Sequence, residues 1–271
     1  MEPLARALQG LSPAAWTAAA AAYLLVFRRQ DAGADRWCRP LAFLALGVNA
    51  LLLVVVGLAG RPMVASAGGV LTSMGLAVAG VHLVLEGRIG TRAIGVFPIA
   101  VAVALAIGSA AADVLRVPAT AMPRWSTGAH VFGAVLAYSG MLLAALYGVL
   151  YLLQRHALRA HRFGLLFERL PSLELLDQFS WRSLLAAVVF LTLTIGFGHV
   201  VGRAPGLAFD YYDPKIMFTN LIWLGGLLLS ASRGLQWLRP ATSAWGCVVL
   251  FTFAIGNMLV VDMFSKVHPA G

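Results

Sequence analysis

The chain is 271 residues long, 60% hydrophobic and only 11% charged, with a formal net charge of +9. A soluble domain of this length needs a charged shell that the composition does not supply, whereas apolar runs of about 18 residues or more cross a ~30 Å hydrocarbon layer as helices. The composition therefore specifies an all-α polytopic membrane protein, and basic residues spread over short loops give no case for nucleic-acid binding.

Hydropathy predicts a bundle of eight transmembrane helices, near 9–27, 40–60, 63–86, 93–112, 128–153, 182–202, 216–232 and 241–264. Ahead of the first span, "MEPLARALQG" is barely basic, and the Arg28-Arg29 pair follows the apolar run. That order reads as a retained helix entering from outside, not as a signal peptide. Cys38 falls in the next inside loop and Cys247 in the last span, so the two are not expected to meet. With no C-x-x-C motif, redox chemistry has to come from a bound cofactor or a partner. In span three, His82 and Glu86 lie four residues apart and share a helix face near the inner end, with Glu86 expected close enough to the interface to be solvated.

His130 opens span five. After it comes the longest inside connection, 155–181, which includes "HRFGLLFERLPSLELLDQFSWR". Its leucines alternate with Arg, Glu and Asp, which predicts an amphipathic segment on the inner membrane surface. Pro171 divides it, and Ser172 is placed to cap the helix that follows, with Glu174 and Asp177 near its positive end. His199 closes span six. The next loop holds "AFDYYDPKIMF" (208–218), where Asp213-Pro214 is a helix start and Tyr211 and Tyr212 are either interface aromatics or ligand-facing rings. His268 follows span eight.

With the N-terminus placed outside, thirteen of the 20 Lys and Arg fall in inside loops. This asymmetry predicts both termini on the extracytoplasmic side of a bacterial cytoplasmic (inner) membrane, with basic loops against anionic lipid headgroups. The same placement gathers His130, His199 and His268 at the outer face, around the loop with the two tyrosines. Neutral imidazole is the usual axial ligand for haem iron, and two make a six-coordinate site. Tyr211, Tyr212 and Phe209 could supply the flat wall a haem needs, and Arg203 or Arg124 the cations for its propionates. Zinc is the competing reading, but no H-x-x-x-H or H-E-x-x-H helix is present.

Four stretches together resemble one family. "LPSLELLDQFSWRSLLAAVVFLTLTIGFG" (170–198) is similar to a Leu-Pro-Ser-Leu-Glu-x-Leu-Asp run leading into an apolar helix. "YDPKIMFTNLIWLGGLLLSASR" (212–233) is similar to a Trp-Asp-Pro-Lys-Glu-x-Trp segment and its following helix. "HVFGAVLAYSGMLLAALYGVLYLL" (130–153) resembles a helix opened by histidine, and "FSKVHPAG" (264–271) a C-terminal Leu-Ser-x-Leu-His-Ser. With "LVLEGRIGTRAIGVF" (83–97), these identify the chain as resembling the CcsA/CcmC/HemX group of cytochrome c assembly membrane proteins, most closely its CcsA- and HemX-like branch. The resemblance treats 1–271 as one domain and is strongest over 70–271.

That resemblance implies haem b handling on the extracytoplasmic side. A loop, here 203–215, holds the haem, and His130 and His268 ligate its iron. Asp210-Tyr211-Tyr212-Asp213 stands where the family has Trp-x-Trp-Asp, and Ala231 stands where a membrane histidine is expected before Arg233. His82 is a candidate stand-in. The implied partners are a membrane protein of the assembly system and apocytochrome c. The expected role is a haem-binding and transfer component, not a self-contained enzyme. A HemX-like accessory or regulatory protein without haem delivery, or a subunit of a respiratory membrane complex, is the alternative.

Overall fold

Helix begins almost at the start of the chain. A computed structural model describes residues 1–61, 66–89, 92–113, 115, 125–161, 164–203 and 210–259. Among them are nine α-helices, a short 3-10 turn at Ala93–Gly95, and no strand. The helices are α1 (Glu2–Arg29), α2 (Ala32–Leu58), α3 (Ala67–Ile89), α4 (Val96–Ala112), α5 (Trp125–Arg159), α6 (Leu165–Arg169), α7 (Leu173–Gly202), α8 (Pro214–Gly234) and α9 (Pro240–Leu259). All but α6 are long and apolar enough to cross a membrane. The eight predicted spans are therefore present in order.

Several helices outrun the apolar segments that announced them, because hydropathy sees only the membrane part while capping decides where helix starts. Asp31 caps α2, accepting a hydrogen bond from the Ala34 amide at 2.9 Å, so the charged stretch before Pro40 is already helical. Cys38 accordingly lies buried in α2 and not in a loop. Ser172 caps α7 as expected, accepting from the Leu175 amide at 3.4 Å, with Glu174 in the first turn. The segment 155–181 consequently divides into the last turns of α5, the short α6 and the first turns of α7.

The chain forms two compact units, Met1–Pro123 with Arg162–Pro171, and Arg124–His161 with Ser172–Gly271. In the first unit α1 packs on α2 and α4, and α3 on α2 and α4. Its core is made largely of alanines (Ala19, Ala22, Ala42, Ala45, Ala79, Ala102 and Ala106), with Trp16 and Tyr23 filling the space between them. In the second unit α5 packs on α7 and α9, and α8 on α7 and α9. The α5–α7 contact is built from Ala137, Met141, Ala144, Ala187 and Leu191. Ser180 reaches across it to donate to the Ala144 carbonyl at 2.8 Å. Helices surrounded by lipid gain little from hiding apolar surface from one another, so close approach of small residues and such cross-helix hydrogen bonds hold them.

Candidate functional site

One end of the second unit carries the chemistry. Thr194 and Gly198 are four residues apart on α7 and therefore share a face. The α5 residue His130 lies against that face, half-buried, with Nδ1 at 2.8 Å from the Thr194 carbonyl oxygen. A carbonyl only accepts, so Nδ1 carries a proton, and in the neutral ring Nε2 is then the basic nitrogen. Gly198 makes the slot: a Cβ there would stand 3.1 Å from His130 Cε1 and 3.2 Å from Nδ1. An imidazole that gives Nδ1–H to a carbonyl is oriented as metal-ligating histidines are, with Nε2 as the donor atom.

His199 follows in the last turn of α7, and its ring faces Tyr211 with centroids 5.8 Å apart and planes 32° apart. The turn at 210–213, just ahead of α8, is closed by its own acids. Asp210 accepts from the Tyr212 amide through its carboxylate at 2.9 Å and from the Asp213 amide through its carbonyl at 3.2 Å. Asp213, only 2% exposed, accepts from the Lys215 amide at 2.9 Å and caps α8 ahead of Pro214, as its sequence position predicts. Arg203, at the C-cap of α7, is exposed at the same end. The structure thus gathers His130, His199, Arg203, Tyr211, Tyr212 and Asp213. His268, Phe209 and Arg124 lie outside the described residues.

Trp125 is an aromatic that the sequence reading missed. It is 74% exposed, sits five residues before His130 on α5, and meets Phe197 of α7 edge-to-face at 6.0 Å. Its only signal in the sequence was a tryptophan at the start of a span. A groove on the exposed side of α8, lined by Met217, Phe218, Asn220, Leu221, Trp223 and Leu224, holds none of the predicted site residues. Among the described residues, no three of His, Cys, Asp and Glu gather as a metal-ion site.

The first unit holds a buried polar cluster. His82 Nε2 is 3.4 Å from Glu86 Oε2, so the expected pair on one face of α3 exists. The expectation that Glu86 is solvated is wrong: it is 2% exposed. The Tyr23 hydroxyl donates to Oε2 at 2.6 Å, while Arg39 Nε and Arg92 Nε stand 3.7 and 3.9 Å from Oε1. Arg92 in turn donates to the Asp35 carbonyl at 2.7 Å and pairs with its carboxylate. Groups from α1, α2 and the segment after α3 cover the carboxylate, and spacing along α3 alone does not reveal them. Gly95 lets these groups meet, since a Cβ there would come within 2.8 Å of His82 Nε2 and closer still to the Tyr23 ring. In the second unit Asp177 pairs with the guanidinium of Arg233, tying α7 to α8, which is more than the helix-end role its sequence position suggested.

The family described as "Cytochrome C assembly protein" matches residues 35–268. The chain belongs to the cytochrome c assembly protein family. Membership carries a role in cytochrome c biogenesis, and with eight membrane-length helices the chain is a multi-pass membrane protein of that family. It is also similar to "Protein HemX" of Brevibacillus brevis, at 30% identity over 130 residues. That match spans 48% of this chain and 48% of the relative's length. No solved structure matches the chain. The family match runs over His82, Glu86, His130, the turn at 210–213 and the stretch that contains His268.

Proposed function

We propose that this cytochrome c assembly protein holds haem b at the end of its second unit, on the extracytoplasmic face of a bacterial cytoplasmic membrane, for transfer to a membrane partner or apocytochrome c. His130 and His268 are the iron ligands, Arg203 meets a propionate, and the turn at 210–213 lies against the macrocycle. The observation that carries the reading is the His130 imidazole. Its Nδ1–H is given to the Thr194 carbonyl, which orients Nε2 as a ligand and raises its basicity. The haem supplies the redox chemistry, and the protein contributes ligation, orientation and exclusion of solvent.

The test is a hemin titration of the purified chain followed by absorption. The parent is expected to give a Soret band of a six-coordinate haem, and His130→Ala to lose it or to shift it to a five-coordinate form. A parental spectrum in His130→Ala overturns the proposal.

A second reading is an accessory or regulatory membrane protein that does not deliver haem. The exposure of Ala231 on α8, where the family resemblance calls for a membrane histidine, favours it. Normal levels of all c-type cytochromes in a deletion strain would select this second reading.

A further inference from the structure

We infer that the two adjacent tyrosines do different work: Tyr211 seats the 210–213 turn on His199, and Tyr212 alone presents its ring to the planar ligand. This rests on the haem-holding reading and assigns the platform of that site to one residue. Read along the sequence, Tyr211 and Tyr212 are equivalent. In the fold they are not. The Tyr211 ring lies against the His199 imidazole in a tilted contact, with planes 32° apart and centroids at 5.8 Å, a distance at which aromatic pairs attract. The Tyr212 ring is 84% exposed, against 52% for Tyr211.

The backbone explains why the second ring stands out. Asp210 binds the amides of Tyr212 and Asp213, and Asp213 is buried as the cap of α8. Residue 212 is the apex of a turn held on both sides, and residue 211 is pulled onto α7. A ring carried on a turn whose amides are already hydrogen-bonded adds little backbone ordering cost when a flat ligand settles on it, so more of its stacking is retained as affinity. The ligand class this suits is a planar macrocycle larger than the ring itself, which a porphyrin is. His199 is then a positioning residue that fixes the height and tilt of the turn through Tyr211, one residue beyond the Gly198 slot that seats His130.

The experiment uses the full chain in nanodiscs loaded with hemin, and follows both the absorption spectrum and the rate of haem loss to excess apomyoglobin. Tyr212→Ser should speed haem loss about five- to tenfold with an unchanged Soret position, and Tyr212→Phe should behave as the parent. Tyr211→Ser and His199→Ala should both speed haem loss, since each removes their shared ring contact, and His199→Phe should restore the parental rate, as no ligand replacement would. A parental rate in Tyr212→Ser overturns the inference, as does a changed ligation spectrum in His199→Ala, which would make His199 an iron ligand. His130→Ala separates the two levels. If it loses haem while Tyr212→Ser does not, only the division of labour is rejected; if it keeps haem, the haem reading falls with it.

Discussion

Asp213 shows how much one side chain sets at the edge of a membrane helix. Its carboxylate takes the Lys215 amide, its carbonyl takes the Met217 amide, and Pro214 begins the helix without losing a donor. It is buried, and these two hydrogen bonds both go to backbone amides. Asp213→Ala is therefore expected to cost about 1 kcal/mol of capping, seen as a lower melting temperature in detergent. Haem is expected to leave this variant faster, with the iron's spectral type unchanged. A new ligation spectrum would show that Asp213 touches the iron. Gly198 also answers to a neighbour, since a Cβ there would stand only 3.1 Å from the His130 ring and press on it.

Between elements, the same kinds of residue act as ties. Tyr23 on α1 donates to Glu86 on α3, whose other oxygen faces Arg39 of α2 and Arg92. The two guanidiniums are partly exposed, so solvent and headgroups screen them, and the fully buried Tyr23–Glu86 contact is the stronger part of the cluster. Tyr23→Phe removes one donor to a buried carboxylate and keeps the packing. The expected loss is about 1–2 kcal/mol in the first unit, read as a lower thermal midpoint than for the exposed Arg36→Ala. Equal midpoints would show that the hydroxyl contributes nothing. In the second unit the Asp177–Arg233 pair ties α7 to α8, and hydrogen bonds from Trp181 to the Ser230 carbonyl, from Trp223 to the Thr192 hydroxyl and from Asn257 to the Thr219 hydroxyl hold α8 to α7 and α9 as well.

At the scale of the whole chain, the distribution of charge predicts the orientation. Thirteen of 20 Lys and Arg fall on the side predicted to be inside. Trp37 and Trp237, close in sequence to basic residues assigned to that side, are exposed, and so is Trp125 ahead of His130, as rings at headgroup level are. A reporter fused after Gly271 is expected to be extracytoplasmic, and one inserted near His161 cytoplasmic. Paired alkaline phosphatase and green fluorescent protein fusions measure this. A cytoplasmic C-terminus would put His268 on the wrong side of the membrane and end the haem proposal.

The sequence by itself determined the class, the number and order of the membrane helices, the caps at Ser172 and Asp213, and the His82–Glu86 pair. Each depends on hydropathy or on residues within a turn of one another, where covalent spacing already sets the geometry. It also carried the family, through short runs in a fixed order. Only the tertiary structure decided that Glu86 is buried, because Tyr23 and two arginines from other segments cover it. Only it set the His130 tautomer, which depends on a carbonyl 64 residues away, and the unlike surroundings of Tyr211 and Tyr212, one against α7 and one exposed. Contacts between helices depend on how each rotates about its axis. In lipid that rotation is chosen by small residues and hydrogen bonds on the facing helix, which no single span contains.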